Sequence, residues 1–173
     1  FWHSDYFSKD KNGKAVFGPV WDFDGSMGYD PGDARDINPS TWDTTGGRDV
    51  WNYDWWGQLF HDPEVMQLWI DRWQGLRKNE FTNASLNSLA DAIAAQIPAD
   101  AAARDVARWP DNASRYGGSF LTEVAHMKDW ITKRADWIDL QFLAAPTVTT
   151  NGATPTFTPP AGAQLAYKLD GYD

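Results

Sequence analysis

The sequence contains no cysteine. That absence excludes disulfides, thiolate metal sites and a cysteine nucleophile, and it leaves the redox compartment open. Glutamate is almost missing as well: the 24 acidic residues divide into 21 Asp and 3 Glu. Asp is the better helix cap, turn former and hard-cation ligand, and the poorer residue inside a helix. Basic residues are few, 15 Lys and Arg, and the net charge is −9. Non-specific binding to a nucleic-acid backbone rests on Lys and Arg, so no nucleic-acid partner is expected. No apolar run reaches membrane-spanning length, no signal peptide is visible, and no internal repeat is present.

What is there suits a folded chain. At 173 residues and 42% hydrophobic, it can form one domain with a real core and part of a second. The start at Phe1, without Met, leads us to expect a piece of a longer protein, so missing targeting signals say little about location. Eleven Trp is a high load. Most lie at helical or strand core spacing, which favours packing over stacking on sugars or bases.

The stretch Gly18-Pro-Val-Trp-Asp-Phe-Asp-Gly-Ser-Met-Gly28 concentrates the chemistry. The apolar run from Ala15 to Trp21 reads as a buried strand. Asp22 and Asp24 then fall at i and i+2, on one strand face, with Phe23 on the other. Two carboxylates roughly 6 Å apart at an effective dielectric near 20 repel by about 3 kcal/mol. Water, a proton, a basic side chain or a cation must offset that. Gly25 and Gly28 allow a sharp turn or a close approach. The pattern suits a strand end presenting carboxylates to a hard cation such as Mg²⁺ or Ca²⁺. It equally suits a solvated turn, because Asp and Gly are turn residues.

Along the chain, Ser4–Lys9 and Lys14–Trp21 predict a β-hairpin around Asp10-Lys-Asn-Gly13. Residues 26 to 50 predict a long irregular loop, in which Asp30, Asp33 and Asp36 could fold back toward Asp22 and Asp24 or simply be solvated. A short helix is expected over Trp51–Phe60. A second starts at Asp62-Pro63-Glu64, with Met66, Trp69, Trp73 and Leu76 on one face. A third carries Leu86, Leu89, Ile93 and Ile97 and closes at Pro98. A fourth spans 99 to 109, with Val106 and Trp109 inward. Ser119 caps a long last helix striped by Phe120, Val124, Met127, Ile131, Ala135, Ile138 and Phe142. His126, beside the stripe, reads as a partly buried helix histidine rather than a ligand. Arg134 lies on the stripe, and a charge there needs a partner, so it is expected to reach back to the acidic loop or a site carboxylate. From Ala144 the composition turns to Thr, Val, Pro and Gly, with short strands expected at Thr147–Thr150, Thr156–Thr158 and Leu165–Leu169. The fold class is α+β, mostly α.

Several ordered motifs closely resemble the C-terminal part of the CotH kinase family, the spore-coat protein H type. They are Ser4-x-Tyr6, Lys9-Asp10, Asn12-Gly13-Lys14, Gly18-Pro-Val-Trp-Asp-Phe-Asp24 and Gly28. Later come Leu59-Phe-His-Asp-Pro63, Trp73-x-x-Leu76-Arg77, Arg108-Trp109 and Val124-x-x-Met-Lys-x-Trp-Ile131-x-x-Arg134-x-x-Trp137. The resemblance divides the chain into residues 1–145, the C-terminal portion of such a kinase domain, and 146–173. The latter, ending in Tyr167-Lys-Leu-Asp-Gly171, resembles the incomplete start of an immunoglobulin-like, chitobiase C-terminal-like β-module.

The resemblance implies the large lobe of an atypical kinase that binds ATP and Mg²⁺ and passes a phosphoryl group to Ser or Thr of a protein. By the motif, Asp24 is the metal ligand and Asp22 its neighbour or co-ligand, both on the cofactor-binding side. The small lobe with its nucleotide-contacting Lys, and the catalytic-base Asp, would lie before Phe1. The piece alone is therefore expected to be inactive. The same resemblance implies a bacterial protein at the cell surface or outside the cell.

Two other functions fit parts of the sequence. One is a non-catalytic surface protein whose acidic loop holds Ca²⁺ and whose exposed Trp contact carbohydrate or a cell-surface polymer. The other is a glycosidase using Asp22 and Asp24, which needs carboxylates about 5 to 9 Å apart flanking the scissile bond. Two residues on one strand face rarely straddle a sugar ring, which ranks it last. Asn83-Ala-Ser85 and Asn112-Ala-Ser114 fit the glycosylation pattern, which has no meaning in a bacterial protein.

Overall fold

The computed structural model describes residues 6–23, 26–29, 37–42, 51, 54–110, 116 and 118–165. Its order is β1 (Phe7–Lys9), β2 (Ala15–Phe17), α1 (Asp54–Phe60), α2 (Pro63–Arg77), α3 (Asn83–Ala94), α4 (Ala99–Arg108), α5 (Phe120–Asp139), β3 (Thr147–Asn151) and β4 (Thr154–Thr158). The expected α+β class, mostly α, is what is seen.

β1 and β2 pair antiparallel, with Ser8 opposite Val16. The turn between them closes through Gly13 N–H donating to Asp10 O at 3.1 Å, as the Asn-Gly signal predicts. The return strand is shorter than its apolar run suggests. It ends at Phe17, because Gly18 takes φ 134 and Pro19 has no N–H to continue a ladder. Nor is it buried: Val20 is 85% and Trp21 63% exposed. The apolar run is real, but none of the described elements covers it.

The helices start where local chemistry starts them. The Asp62 side chain accepts from Glu64 N–H at 2.8 Å, and Pro63 fills the first turn of α2. Thr82 caps α3 through Ser85 N–H, and Ser119 caps α5 through Thr122 N–H, both at 3.1 Å. α1 packs on α2 and α3 on α5.

The α5 stripe is buried toward the helix's C-terminal end, at Ala135 and Ile138. Its partner stripe on α3 is not. Leu89, Ile93 and Ile97 are exposed and Ala90 is the buried residue, because α3 meets α5 edge-on. Asn87 donates to Thr132 Oγ1 at 3.1 Å and Lys128 bonds both Asp91 oxygens at 2.6 Å across that seam. On α4, Val106 and Trp109 face outward, Trp109 at 53% exposure. Among the described residues no other element packs over that face, and Arg108 lies over the Trp109 ring at 5.2 Å.

The tryptophans build the main cluster. Trp42 meets Trp51 at 4.9 Å and Trp137 at 4.6 Å between ring centroids, both edge-on. Trp51 continues to Phe60 and Trp69, and Trp69 to Phe142. Edge-to-face contact suits aromatic quadrupoles, so the packing account holds for these rings. Below them Arg77 ties three helices: it bonds Asp136 at 3.0 Å, Asp139 at 2.8 Å and Asn83 Oδ1 at 2.9 Å. Trp73 Nε1 donates to Asp139 at 2.8 Å. β3 and β4 pair antiparallel, Val148 opposite Phe157, and both are exposed along their length. Of the third expected strand only Leu165 lies within the described residues.

Candidate functional site

The hairpin delivers the chain to Asp22, but not as part of a strand, since β2 ends at Phe17. Asp22 adopts φ 62, in the left-handed region, and is exposed. Asp is among the few residues other than Gly that tolerate that conformation. The strand-alternation reason for placing Asp22 and Asp24 on one face therefore fails. Asp24 itself, like Asp30, Asp33 and Asp36, lies outside the described residues. Beyond Asp22, Ser26 N–H donates to Phe23 O at 3.1 Å, closing a turn. Met27 and Gly28 follow at φ 65 and 74.

Gly28 is where the turn meets α5. It is buried, and a Cβ there would sit 2.6 Å from Trp130 Cδ1 and 2.9 Å from His126 Nε2. Both the positive φ and the close approach require glycine. His126 Nε2 lies 3.1 Å from Gly28 O; facing a carbonyl, that nitrogen carries the proton. Tyr116 stacks on the other side of the imidazole, with centroids 3.5 Å apart. Histidine thus behaves as a structural residue, as its sequence position suggested.

One turn on, Trp130 Nε1 donates to Ile37 O at 3.2 Å. A further turn on, Arg134 Nη1 donates to Pro39 O at 3.0 Å and also to Thr41 O. Its guanidinium lies 4.9 Å from the Trp42 ring centre and 5.0 Å from that of Trp137. Arg134 does reach back to the loop after Asp22, as expected. Among the described residues its partners are backbone carbonyls and ring faces. Burial among them pushes the guanidinium below its usual range, but arginine stays charged at any ordinary pH.

Sequence reasoning missed Trp130 and Tyr116 as contributors. The signal for Trp130 was present: three side chains with N–H donors at i, i+4 and i+8, along one edge of an apolar stripe. The turn also forms one wall of an apolar cleft of about 390 Å³, lined by Met27, Tyr29, Ile93, Ile97, Phe120 and Met127 among others.

Among the described residues no group of three or more His, Cys, Asp and Glu could hold a metal ion. Asp22 contributes hard oxygen donors at an exposed turn. Mg²⁺ is commonly held by one or two carboxylates together with substrate phosphates rather than by an all-protein cage. The donor chemistry of Asp22 and Asp24 fits that mode.

A hairpin feeding an exposed acidic turn, clamped on the long helix of an aromatic-rich bundle, makes this a mixed α+β chain. The family model described as CotH kinase protein matches residues 1–138. The chain belongs to the CotH kinase family. No curated protein and no solved structure matches it.

Proposed function

We propose that residues 1–145 are the C-terminal portion of a kinase domain that moves the γ-phosphoryl group of ATP to Ser or Thr of a protein. Residues 146–173 would begin a separate β-module. The observation that carries this is the family match over 1–138, which contains the exposed, left-handed Asp22 turn. Asp24 is the proposed metal ligand and Asp22 its neighbour or co-ligand, with Mg²⁺ and ATP as the cofactors. Phosphoryl transfer depends on positioning and charge neutralisation more than on covalent help, and a bound cation supplies that neutralisation. This chain's residues would hold carboxylate oxygens at the turn, with Gly28 keeping the backbone tight against α5. The surface association of spore-coat relatives supports an extracellular or cell-surface place.

Phosphate transfer from labelled ATP to casein or to the protein itself tests the proposal. The 173-residue chain is expected to be inactive, and the longer protein carrying the preceding lobe active. Asp24→Asn should lower the longer protein's rate by about 100-fold, the scale of losing one electrostatic contact to developing charge. Activity of the short chain that Asp24→Asn abolishes would overturn the expected inactivity. Full activity of the long Asp24→Asn protein would overturn the site.

A second function draws on the exposed Trp21 and Trp109: a non-catalytic surface protein that binds Ca²⁺ and carbohydrate. Calorimetric heat with an oligosaccharide, and none with Mg²⁺ and ATP, would favour it.

A further inference from the structure

We infer that His126, Trp130 and Arg134 form a positioning row that holds the backbone at Gly28, Ile37, Pro39 and Thr41 against α5, and with it the Asp22 turn. The functional half of this rests on the metal-and-nucleotide assignment proposed above; the structural half does not. The three residues are four apart on α5, so their donors step along the helix by about 6 Å each. Each meets main-chain oxygen: Gly28 O at 3.1 Å, Ile37 O at 3.2 Å, and Pro39 O at 3.0 Å together with Thr41 O. Bonds to carbonyls fix the path of a backbone whatever side chains it carries.

The first two anchors flank residues 30–36, which carry Asp30, Asp33 and Asp36. The row holds its backbone partners with neutral-acceptor bonds and one cation set between two Trp rings. The fit is reciprocal, since Gly28 admits the Trp130 and His126 rings only because it has no Cβ. The planar guanidinium forks to two carbonyls while lying against aromatic faces. A lysine ammonium, a point charge on a flexible stem, does not reproduce that. None of the three touches reacting atoms, so they are positioning residues.

Hydrogen exchange and Mn²⁺ titration by electron paramagnetic resonance on the 173-residue chain test this. Trp130→Phe keeps the ring and removes the N–H donor. Arg134→Lys keeps the charge and removes the fork. Asp91→Asn is the control, weakening the Lys128 contact on the opposite, α3-facing side of α5. In both row variants the amides of 26–29 and 37–42 should exchange about tenfold faster, the scale of one lost hydrogen bond. Exchange in α2 should not change. Mn²⁺ affinity should fall about threefold to tenfold on the same scale, and the control should alter neither readout.

Unchanged protection at both anchors in Trp130→Phe and Arg134→Lys overturns the row. Faster exchange with unchanged Mn²⁺ affinity overturns its functional half. Mn²⁺ binding insensitive to Asp24→Asn overturns the metal assignment instead, and the exchange result still decides whether the row holds the backbone at 26–29 and 37–42.

Discussion

Among the described glycines, Gly28 carries the sharpest steric demand. An alanine there would meet the left-handed penalty, about 1–2 kcal/mol, and a methyl group 2.6 Å from an indole carbon. That indole is held by its bond to Ile37 O, so it cannot swing away without giving up an anchor. Gly28→Ala should therefore lower stability by about 2–4 kcal/mol, combining backbone strain with overpacking. A urea titration followed by far-ultraviolet circular dichroism checks the size. A change below about 0.5 kcal/mol, the range of ordinary surface substitutions, would mean that the turn does not sit against α5. Arg134 shows the opposite economy. Among the described residues its partners are two carbonyls and two ring faces, and these contacts favour the charged form against the desolvation that lowers its pKa.

Among elements, α2 is the most legible from sequence. Asp62, Pro63 and Glu64 announce its start, and the structure uses each of them. Asp62→Ala should cost about 1 kcal/mol through loss of the cap, visible as a shift in the urea midpoint with unchanged slope. An undisturbed midpoint would show that the cap is dispensable. α5 was legible too, since its stripe repeats over many turns and Ser119 marks its beginning. The strand before Asp22 was not. Its apolar run looks like a buried strand, but Gly18 and Pro19 end the ladder at Phe17, and backbone conformation outweighs hydrophobicity there. On α3, periodicity picked Leu89, Ile93 and Ile97. Close approach to α5 selected the small Ala90 instead, because the seam is set by backbone proximity and polar bonds. The candidate site was legible as residue types and spacing only: the left-handed conformation of Asp22 leaves no mark in an Asp-x-Asp pattern.

At the scale of the whole molecule, large apolar side chains are exposed among the described residues: Val16, Phe17, Val20 and Trp21 beside the acidic turn, Leu89 and Ile93 on α3, and Ile97 just after it. Apolar area on this scale favours association, while a net charge of −9 opposes it over a Debye length of about 10 Å at 0.1 M salt. Sedimentation should accordingly show the average mass rising between about 0.05 and 0.5 M NaCl, as screening removes the repulsion. A constant monomer across that range would mean that the exposed apolar side chains are sheltered in solution. Helix α5 carries three separate duties around its circumference. It grips α3 through Lys128 and Thr132, the turn and loop through His126, Trp130 and Arg134, and the foot of α2 through Asp136 and Asp139. Unwinding α5 on heating would take contacts from all three neighbours at once.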